Sequence, residues 1–308
     1  MTSTTAVTVE AGPDAGAAWH YGDPVAEQRA LAAGRAAVDL SHRPVLRISG
    51  PDRLTWLHSL TSQHLETLQP GQGTQALVLS PHGHVEHHLA LVDDGAAVLT
   101  HIEPYRADGL RDYLERMKFW SDVTVEDVTA ELAVVLDAGT RPSVGPAVVR
   151  AYGRESFVPR AKLAEVLGTY DQPAGMWAAE ALRVEAKQPR LGFETDHRTI
   201  PHEVGWIGPA VHLDKGCYRG QETVARVQNL GRPPRRLVLL HLDGSQDTIP
   251  QHCDDVVLDG RTVGFIGTAV RHHELGPIAL AVVKRNIPAD ATLTVVGIPA
   301  TQEIIVEP

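Results

Sequence analysis

Cysteine is scarce in this sequence, with two residues in a chain of 308, at positions 217 and 253. Small secreted domains are stabilised by several disulfides, and two cysteines cannot supply such a framework. The low count is typical of a protein from a reducing compartment. The sequence therefore predicts no disulfide scaffold, and leaves two thiols whose roles must be argued separately.

Long apolar runs and excess basic charge are also lacking. No run reaches the roughly 18 apolar residues of a membrane-spanning helix, and residues 1–18 lack the positive region and apolar core of a signal peptide. The formal net charge is −10, from 28 Lys and Arg against 38 Asp and Glu, whereas nucleic-acid phosphates require a basic face. We therefore expect a cytoplasmic protein that has neither a membrane nor a nucleic acid as partner.

The apolar content is sufficient for more than one core. Hydrophobic residues make up 43% of the 308 positions, a length that fits about two domains. Residues 1–17 are rich in Thr, Ala and Gly without an apolar period, and predict a disordered tail. Residues 18–232 form the larger predicted region. After the Gly-Arg-Pro-Pro interruption at 231–234, short strands predict a small β-barrel or sandwich over residues 233–308.

Strand and helix signals alternate irregularly within the larger region. Asp23 and Pro24 are a good N-cap and first-turn pair before an alanine-rich stretch that reaches Val38. Other helices are predicted over 51–60, 104–118 and 221–230, and strands over 45–48, 75–79, 85–91 and 96–101. Because a doubly wound fold would alternate strictly, this order favours an α+β fold with antiparallel sheet.

The segment from Lys215 to Glu222, Lys-Gly-Cys-Tyr-Arg-Gly-Gln-Glu, is the most informative part of the chain. It places Cys217 two residues after Lys215 and immediately before a predicted helix. A thiol becomes reactive as the thiolate, which a nearby cation or a helix N-terminus stabilises. If the segment is extended, the two side chains share a face. The alternative is a small buried cysteine that packs under a loop, as most free cysteines do.

This octapeptide resembles the signature of the YgfZ family, folate-binding relatives of the glycine-cleavage aminomethyltransferase that support iron–sulfur cluster assembly or repair. Three further stretches resemble the same family in order and spacing, so that the resemblance spans roughly residues 35 to 300. These stretches are Asp39-Leu40-Ser41 with Ile48–Asp52 and Trp56-Leu57; Ala181–Glu185 with Pro189–Glu194; and Ile200–Glu203.

The resemblance implies an α+β fold. It would consist of an aminomethyltransferase-like folate-binding region of mixed antiparallel sheets and helices, and a C-terminal β-barrel, arranged as a ring with folate near the centre. The implied cofactor is tetrahydrofolate or a derivative, with no tightly bound metal. The implied partners are folate and iron–sulfur client proteins or their assembly machinery.

Particular residues carry these implied roles. Cys217 would be the reactive thiol and Lys215 would lower its pKa. Carboxylates accept hydrogen bonds from the amino and ring N–H groups of a pterin, and a guanidinium suits planar, bidentate recognition. The implied folate contacts are Glu185, Glu203, Arg226, His87, Gln221 and Glu222. For Glu222 and Arg226, which are four residues apart, a local ion pair on the helix is the simpler interpretation.

Four histidines, at 82, 84, 87 and 88, lie close together in the sequence. On a strand, three of them would share a face with Glu86, and clustered imidazoles can bind divalent metals. The resemblance suggests another interpretation. The glycine-cleavage enzyme has a Gly-x-Val-x-Asp pattern whose acid is thought to contact the reacting folate nitrogen, and the aligned residues here are Gly83, Val85 and His87. An imidazole differs from a carboxylate in charge and in the proton it exchanges near neutral pH.

Three functions from different classes remain open on the sequence. The first is a folate-binding accessory factor for iron–sulfur proteins that depends on Cys217. The second is a folate-dependent one-carbon (aminomethyl) transferase, against which His87 counts. The third is a folate-independent cysteine enzyme with His202 or His212 as its base. Because iron–sulfur clusters typically take four cysteine ligands, any cluster on Cys217 would be shared with a partner or a second copy.

Overall fold

The structure is a computed structural model that describes residues 5–245 and 247–307. The chain divides into two compact units. The first unit contains residues 1–78, 87–179 and 214–218, and the second contains 79–86, 180–213 and 219–308. No helix in the described part of the chain is long and apolar enough to span a membrane.

The helices and strands before the barrel have the following bounds. The α-helices are α1 Pro24–Ala32, α2 Arg53–Leu60, α3 Ala107–Arg116, α4 Leu163–Leu167, α5 Met176–Glu185 and α6 Gln221–Leu230, and short 3₁₀ helices cover Pro104–Arg106, Arg160–Lys162 and Pro201–Val204. The strands are β1 Val7–Thr8, β2 Ala18–His20, β3 Ala36–Asp39, β4 Val45–Ser49, β5 Gly73–Leu79, β6 Val85–Asp93, β7 Ala97–His101, β8 Thr124–Asp127, β9 Leu132–Asp137, β10 Ala147–Arg150, β11 Gly153–Pro159 and β12 Gln172–Ala174.

Two five-stranded sheets are built from these strands. One has the order β5-β6-β7-β4-β8, and its buried face packs with α2 and α3 through residues such as Ile48, Leu57, Leu89 and Leu110. The other has the order β10-β11-β9-β3-β12 and is antiparallel except for the β3–β12 pair. In β10, buried residues alternate with more exposed ones, as expected of a strand, because successive side chains point to opposite faces of the sheet.

The predicted N-cap of α1 is confirmed, since an Asp23 carboxylate oxygen accepts a hydrogen bond of 2.9 Å from the Ala26 N–H, and Pro24 opens the helix. Helix α6 has the predicted bounds. Within the tail predicted to be disordered, β1 pairs with β2, so residues 7–8 have a regular partner. Residues 1–4 of that tail lie outside the described residues.

The second unit contains a closed barrel. Its strands are β13 Arg235–Leu242, β14 Asp255–Leu258, β15 Arg261–His272, β16 Gly276–Lys284, β17 Leu293–Val295 and β18 Ile298–Ile304, in the order β13-β16-β15-β14-β17-β18. Closure comes from the antiparallel β13–β18 pair, in which Val238 lies opposite Ile304. Asp259 and Gly260 both have positive φ, +49° and +74°, as a two-residue hairpin turn of type I′ requires.

The predicted α+β class with antiparallel sheets and a C-terminal β-barrel is confirmed. The barrel begins at Arg235, close to the predicted boundary at residue 233. The compact unit that contains it also includes residues 79–86 and 180–213. Because this unit extends beyond residues 233–308, the predicted division into 18–232 and 233–308 stays a prediction.

Candidate functional site

Lys215 is buried in the first unit, with 6% of its surface exposed. Its ammonium group donates hydrogen bonds to the carbonyl oxygens of His58 and Thr61, the latter at 2.6 Å. Both carbonyls lie at the C-terminal end of α2, where a helix leaves its last carbonyls without internal partners and carries partial negative charge. Lys215 therefore caps α2 across a large sequence separation.

Burial and neighbouring side chains act in opposite directions on the pKa of this ammonium group. Burial lowers the pKa of Lys215 to about 8, although the nearby Glu66 and Cys217 side chains act in the opposite direction. The ammonium also lies 4.9 Å from the centroid of the Tyr218 ring, within the range of a cation–π contact. Lys215 and Tyr218 thus fix the segment 214–218 to the end of α2.

Cys217 differs from these neighbours because it is exposed. The segment is not a β-strand but bends at Lys215, and the two side chains lie in different environments, one buried and one accessible to solvent. The alternative of a buried, packed cysteine is therefore wrong for Cys217. Its role as a reactive thiol stays a prediction.

His87 is a buried residue of β6, with 8% of its surface exposed. A Cβ atom on Gly109 of α3 would lie 3.5 Å from Cε1 of His87. Helix α3 therefore passes within van der Waals reach of the imidazole at Gly109. The contact of His87 with folate stays a prediction.

The other histidines of this stretch do not form the predicted shared face. Strand β6 begins at Val85, so His82 and His84 precede it in a turn, and their rings lie 6.2 Å apart. His88 lies 3.0 Å from Gln75 through its Nε2 and the amide oxygen. Burial, with Arg150 adding to the effect, lowers the pKa of His88 well below its usual range.

Among the described residues, the group with the spacing of metal ligands is a different one, His58, His64 and Glu66. Sequence analysis missed it because no recognised motif has its spacing. The available signal was two histidines and a glutamate within nine residues at the end of a predicted helix.

Glu203 is fully buried in the second unit, and both carboxylate oxygens accept hydrogen bonds of 2.8 Å from Arg235. One of these oxygens also accepts from the backbone N–H of Ile200 at 3.1 Å. A buried carboxylate needs such partners, because an unpaired charge there is costly. Glu203 therefore joins the 3₁₀ helix 201–204 to the first strand of the barrel, and its predicted folate contact stays a prediction.

Asp196 is the second acid on Arg235, at 2.7 Å and 3.0 Å through two guanidinium nitrogens. Burial alone would raise the pKa of Asp196, but hydrogen bonds from Arg235 and from the backbone of Arg198 outweigh it and hold the pKa well below its usual range. Arg235 is thus shared between the carboxylates of Asp196 and Glu203.

Glu185 is exposed at the end of α5, and its carboxylate lies 3.2 Å from Nε2 of His272 on β15. On α6, Glu222 and Arg226 are exposed and Gln221 is half-buried. Within the described part of the chain, no ion pair joins Glu222 to Arg226, so the predicted local pair is wrong. Such exposed pairs contribute only about 0.3–0.5 kcal/mol, too little to hold two long side chains together.

The N-terminus of α6 makes a close backbone contact with the turn at 80–83. A Cβ atom on Gly220, whose φ is +83°, would lie 2.5 Å from the carbonyl oxygen of Ser80 and 2.9 Å from Cα of Gly83. Beside this contact, Arg219 forms a two-bond ion pair with Glu86 at 3.0 Å and 3.3 Å. The second glycine of the octapeptide, Gly220, is therefore required by packing.

We predict that Gly220→Ala lowers the free energy of unfolding by about 2–5 kcal/mol, since it adds overpacking to the cost of a positive φ. Gly208→Ala is the matched control, because Gly208 belongs to the same unit, has φ of +90° and has no atom within 4 Å of a Cβ position. It should cost about 1–2 kcal/mol, the backbone part alone. Chemical denaturation measures both, and equal losses would contradict the close contact.

Comparison with known proteins identifies similar chains. No protein-family model matches the chain. A putative chloroplastic transferase of Arabidopsis thaliana is 25% identical over 268 residues, which cover 75% of this chain and 61% of the relative, so the chain spans about three fifths of that protein. An aminomethyltransferase of Synechococcus sp. strain CC9311 is 26% identical over 308 residues, covering 83% of this chain and 81% of the enzyme.

The crystal structure of the glycine cleavage system aminomethyltransferase T from Bartonella henselae is similar over most of its length. It has a TM-score of 0.81 at 17% sequence identity and covers 98% of this chain and 93% of that one. Membership of the YgfZ family in particular stays a prediction. The chain has the aminomethyltransferase-like fold, and its sequence is similar to those of aminomethyltransferases.

Proposed function

We propose that this protein binds tetrahydrofolate and acts as an accessory factor in the assembly or repair of iron–sulfur proteins, with Cys217 as its reactive thiol. The folate part is supported by the sequence similarity to aminomethyltransferases and by the motif resemblance, which implies a folate ligand. The iron–sulfur part is supported by the octapeptide and by the state of its cysteine.

The observation that carries the proposal is the contrast between Cys217 and its neighbours in the octapeptide. Lys215 caps α2, Tyr218 packs on Lys215, Arg219 pairs with Glu86, and Gly220 permits a close backbone contact. Cys217 is exposed and takes no hydrogen bond within the described part of the chain. Packing therefore explains four of these five residues, and the exposure of the fifth supports a chemical role for Cys217.

A soft iron or sulfur centre is a suitable target for an exposed thiolate, since cysteine thiolates are the usual ligands of iron–sulfur clusters. Clusters typically take four such ligands, and the chain has two cysteines. Cys217 would therefore supply one ligand to a cluster held mainly by a client protein. Folate would support or sense this exchange.

The second candidate function is aminomethyl transfer to tetrahydrofolate. It is favoured by the similarity to an aminomethyltransferase over 83% of the chain. His87 counts against it, because a buried imidazole whose surroundings contain Gly109 replaces the carboxylate of the transferase pattern. Catalytic turnover between an aminomethylated donor and tetrahydrofolate would favour this second function over the first.

We predict that tetrahydrofolate binds the reduced wild-type protein and that Arg226→Met weakens binding by about tenfold or more, the usual worth of a charge-assisted hydrogen bond. Arg226 is exposed on α6, and no ion pair engages it in the part of the chain that the structure describes. Arg232→Met is the matched control, since Arg232 is an exposed arginine just after the same helix.

Calorimetric titration without oxygen measures both affinities. Arg232→Met should bind as the wild type does. Absence of binding to the wild type would overturn the folate part of the proposal, and equal weakening by the two substitutions would show that Arg226 makes no specific contact.

We predict that Cys217→Ser fails to restore the activity of iron–sulfur enzymes in cells from which the protein has been removed. Cys253→Ser is the matched control, because Cys253 is also a free, exposed cysteine. The measurement is the activity of an iron–sulfur enzyme, normalised to the amount of each variant in the cells. Full restoration by Cys217→Ser would contradict the role of the thiol.

A further inference from the structure

Three potential metal ligands converge at the end of α2 in the first unit. His58 lies in the last turn of the helix, and His64 and Glu66 follow in the connection to β5. One ligand atom from each residue lies within 4.8 Å of the others. The two imidazole rings meet edge to face, with centroids 4.9 Å apart.

The connection that carries these residues is fixed to its surroundings. Thr61 ends the helix, and its hydroxyl donates to the carbonyl oxygen of Leu57 at 2.8 Å. Ser62 exchanges two bonds with Leu77 of β5, through its N–H at 2.9 Å and its hydroxyl oxygen at 3.0 Å. Lys215 holds the carbonyl oxygen of Thr61 from another part of the chain. These bonds hold the backbone that carries the ligands, so less conformational entropy is lost when a metal orders their side chains.

The donor set has a definite chemistry. Two imidazoles and one carboxylate are the protein ligands of several zinc sites, in which a fourth position is left for water or another ligand. With bonds of about 2.0–2.1 Å, tetrahedral ligand atoms lie roughly 3.4 Å apart. The present separations of up to 4.8 Å must therefore shrink. Glu66 is exposed and His64 is half-buried, so rotation of these two side chains provides the movement.

His58 supplies a specific signature of binding. Its Nδ1 accepts a hydrogen bond of 3.2 Å from the backbone N–H of Leu65. A neutral imidazole has one acceptor nitrogen. If Nδ1 binds the metal, Leu65 loses its acceptor, and if Nε2 binds, the ring proton moves to Nδ1 with the same result. Either geometry therefore releases the Leu65 N–H.

The charges near the site are mixed. The Lys215 ammonium opposes a second cation, and it is partly compensated by the carbonyl oxygens that accept its hydrogen bonds. Glu66 supplies a negative charge close enough to act on Lys215. The backbone at Gly216 lies next to the group, since a Cβ atom there would lie 3.9 Å from Nε2 of His58. Absence of a side chain at 216 leaves space next to the imidazole.

We propose that His58, His64 and Glu66 bind a divalent transition-metal ion, and specifically zinc. The fourth coordination position, beside Gly216, would be left for water or another ligand. The inference goes beyond the proposed function and does not depend on it, since neither Cys217 nor a predicted folate contact is among the three ligands. It also departs from the expectation, drawn from the motif resemblance, that no metal is tightly bound.

The test is the titration of zinc into the full chain after treatment with a chelator, in competition with a chromophoric zinc indicator. We expect one ion per chain in the wild type. His64→Ala should weaken binding by at least about 100-fold, because even the loss of an outer partner of a ligand costs 10–100-fold. His82→Ala should leave the affinity unchanged, since His82 is an exposed histidine outside the group.

Two further readouts keep the proposal falsifiable if His64→Ala folds poorly. Zinc should increase the hydrogen-exchange rate of the Leu65 amide in the wild type. The exchange rates of other ordered amides should not increase. Cobalt bound in place of zinc should give the intense visible absorption of a four-coordinate ion, since geometry is diagnostic of the site. Absence of zinc binding, equal weakening by His64→Ala and His82→Ala, an unchanged Leu65 amide or an octahedral cobalt spectrum would each overturn the proposal.

Discussion

A buried ammonium group at the end of a helix organises the first unit. Lys215 reaches the carbonyl oxygens of His58 and Thr61, groups that α2 cannot satisfy by itself. A buried charge without such partners would destabilise the fold, so the segment 214–218 has to lie against α2. This one interaction sets the position of the exposed Cys217 and brings Gly216 beside the imidazole of His58. The positions of the thiol and of the three candidate metal ligands therefore depend on this interaction.

The octapeptide has two structural halves. Lys215 to Tyr218 belong to the first unit, and Arg219 to Glu222 belong to the second. In the second half, Arg219 pairs with Glu86, and Gly220 meets the turn at 80–83. The same motif therefore serves packing in both units. This explains why the sequence interpretation, which assigned Lys215 to the chemistry of the thiol alone, was incomplete.

Local signals predicted where elements begin, but the helix expected to reach Val38 ends at Ala32, and Ala36–Asp39 form β3. The Asp23-Pro24 start of α1 and the bounds of α6 both depend on residues close in sequence. The elements between residues 124 and 174 received no assignment, although Gly145-Pro146 and Gly153 stand beside their short apolar runs. Strand β18 was also missed, since Thr301, Gln302 and Glu303 interrupt its apolar pattern. Its strand conformation is instead stabilised by pairing with β17 in a hairpin and with β13 across the barrel closure.

The partners of the candidate site residues could not be predicted, because they are distant in sequence. The bond from Lys215 to Thr61 spans 154 positions and that from Arg235 to Glu203 spans 32. Each joins elements whose meeting depends on the whole fold. A buried acid needs a cation as its partner, but the sequence does not identify which arginine supplies it. The resemblance to a family predicted the fold, whereas the structure gave the contacts.

The central claim is that Lys215 anchors the Cys217 segment to α2, and amide hydrogen exchange in a Lys215→Met variant tests it most directly. Lys284→Met is the control, since Lys284 also donates to a backbone carbonyl, that of Thr262 at 3.0 Å, but at an exposed position. The account predicts faster exchange at residues 58–61 and 214–218 in Lys215→Met and no change at those residues in Lys284→Met. Unchanged exchange in the Lys215 variant would contradict it.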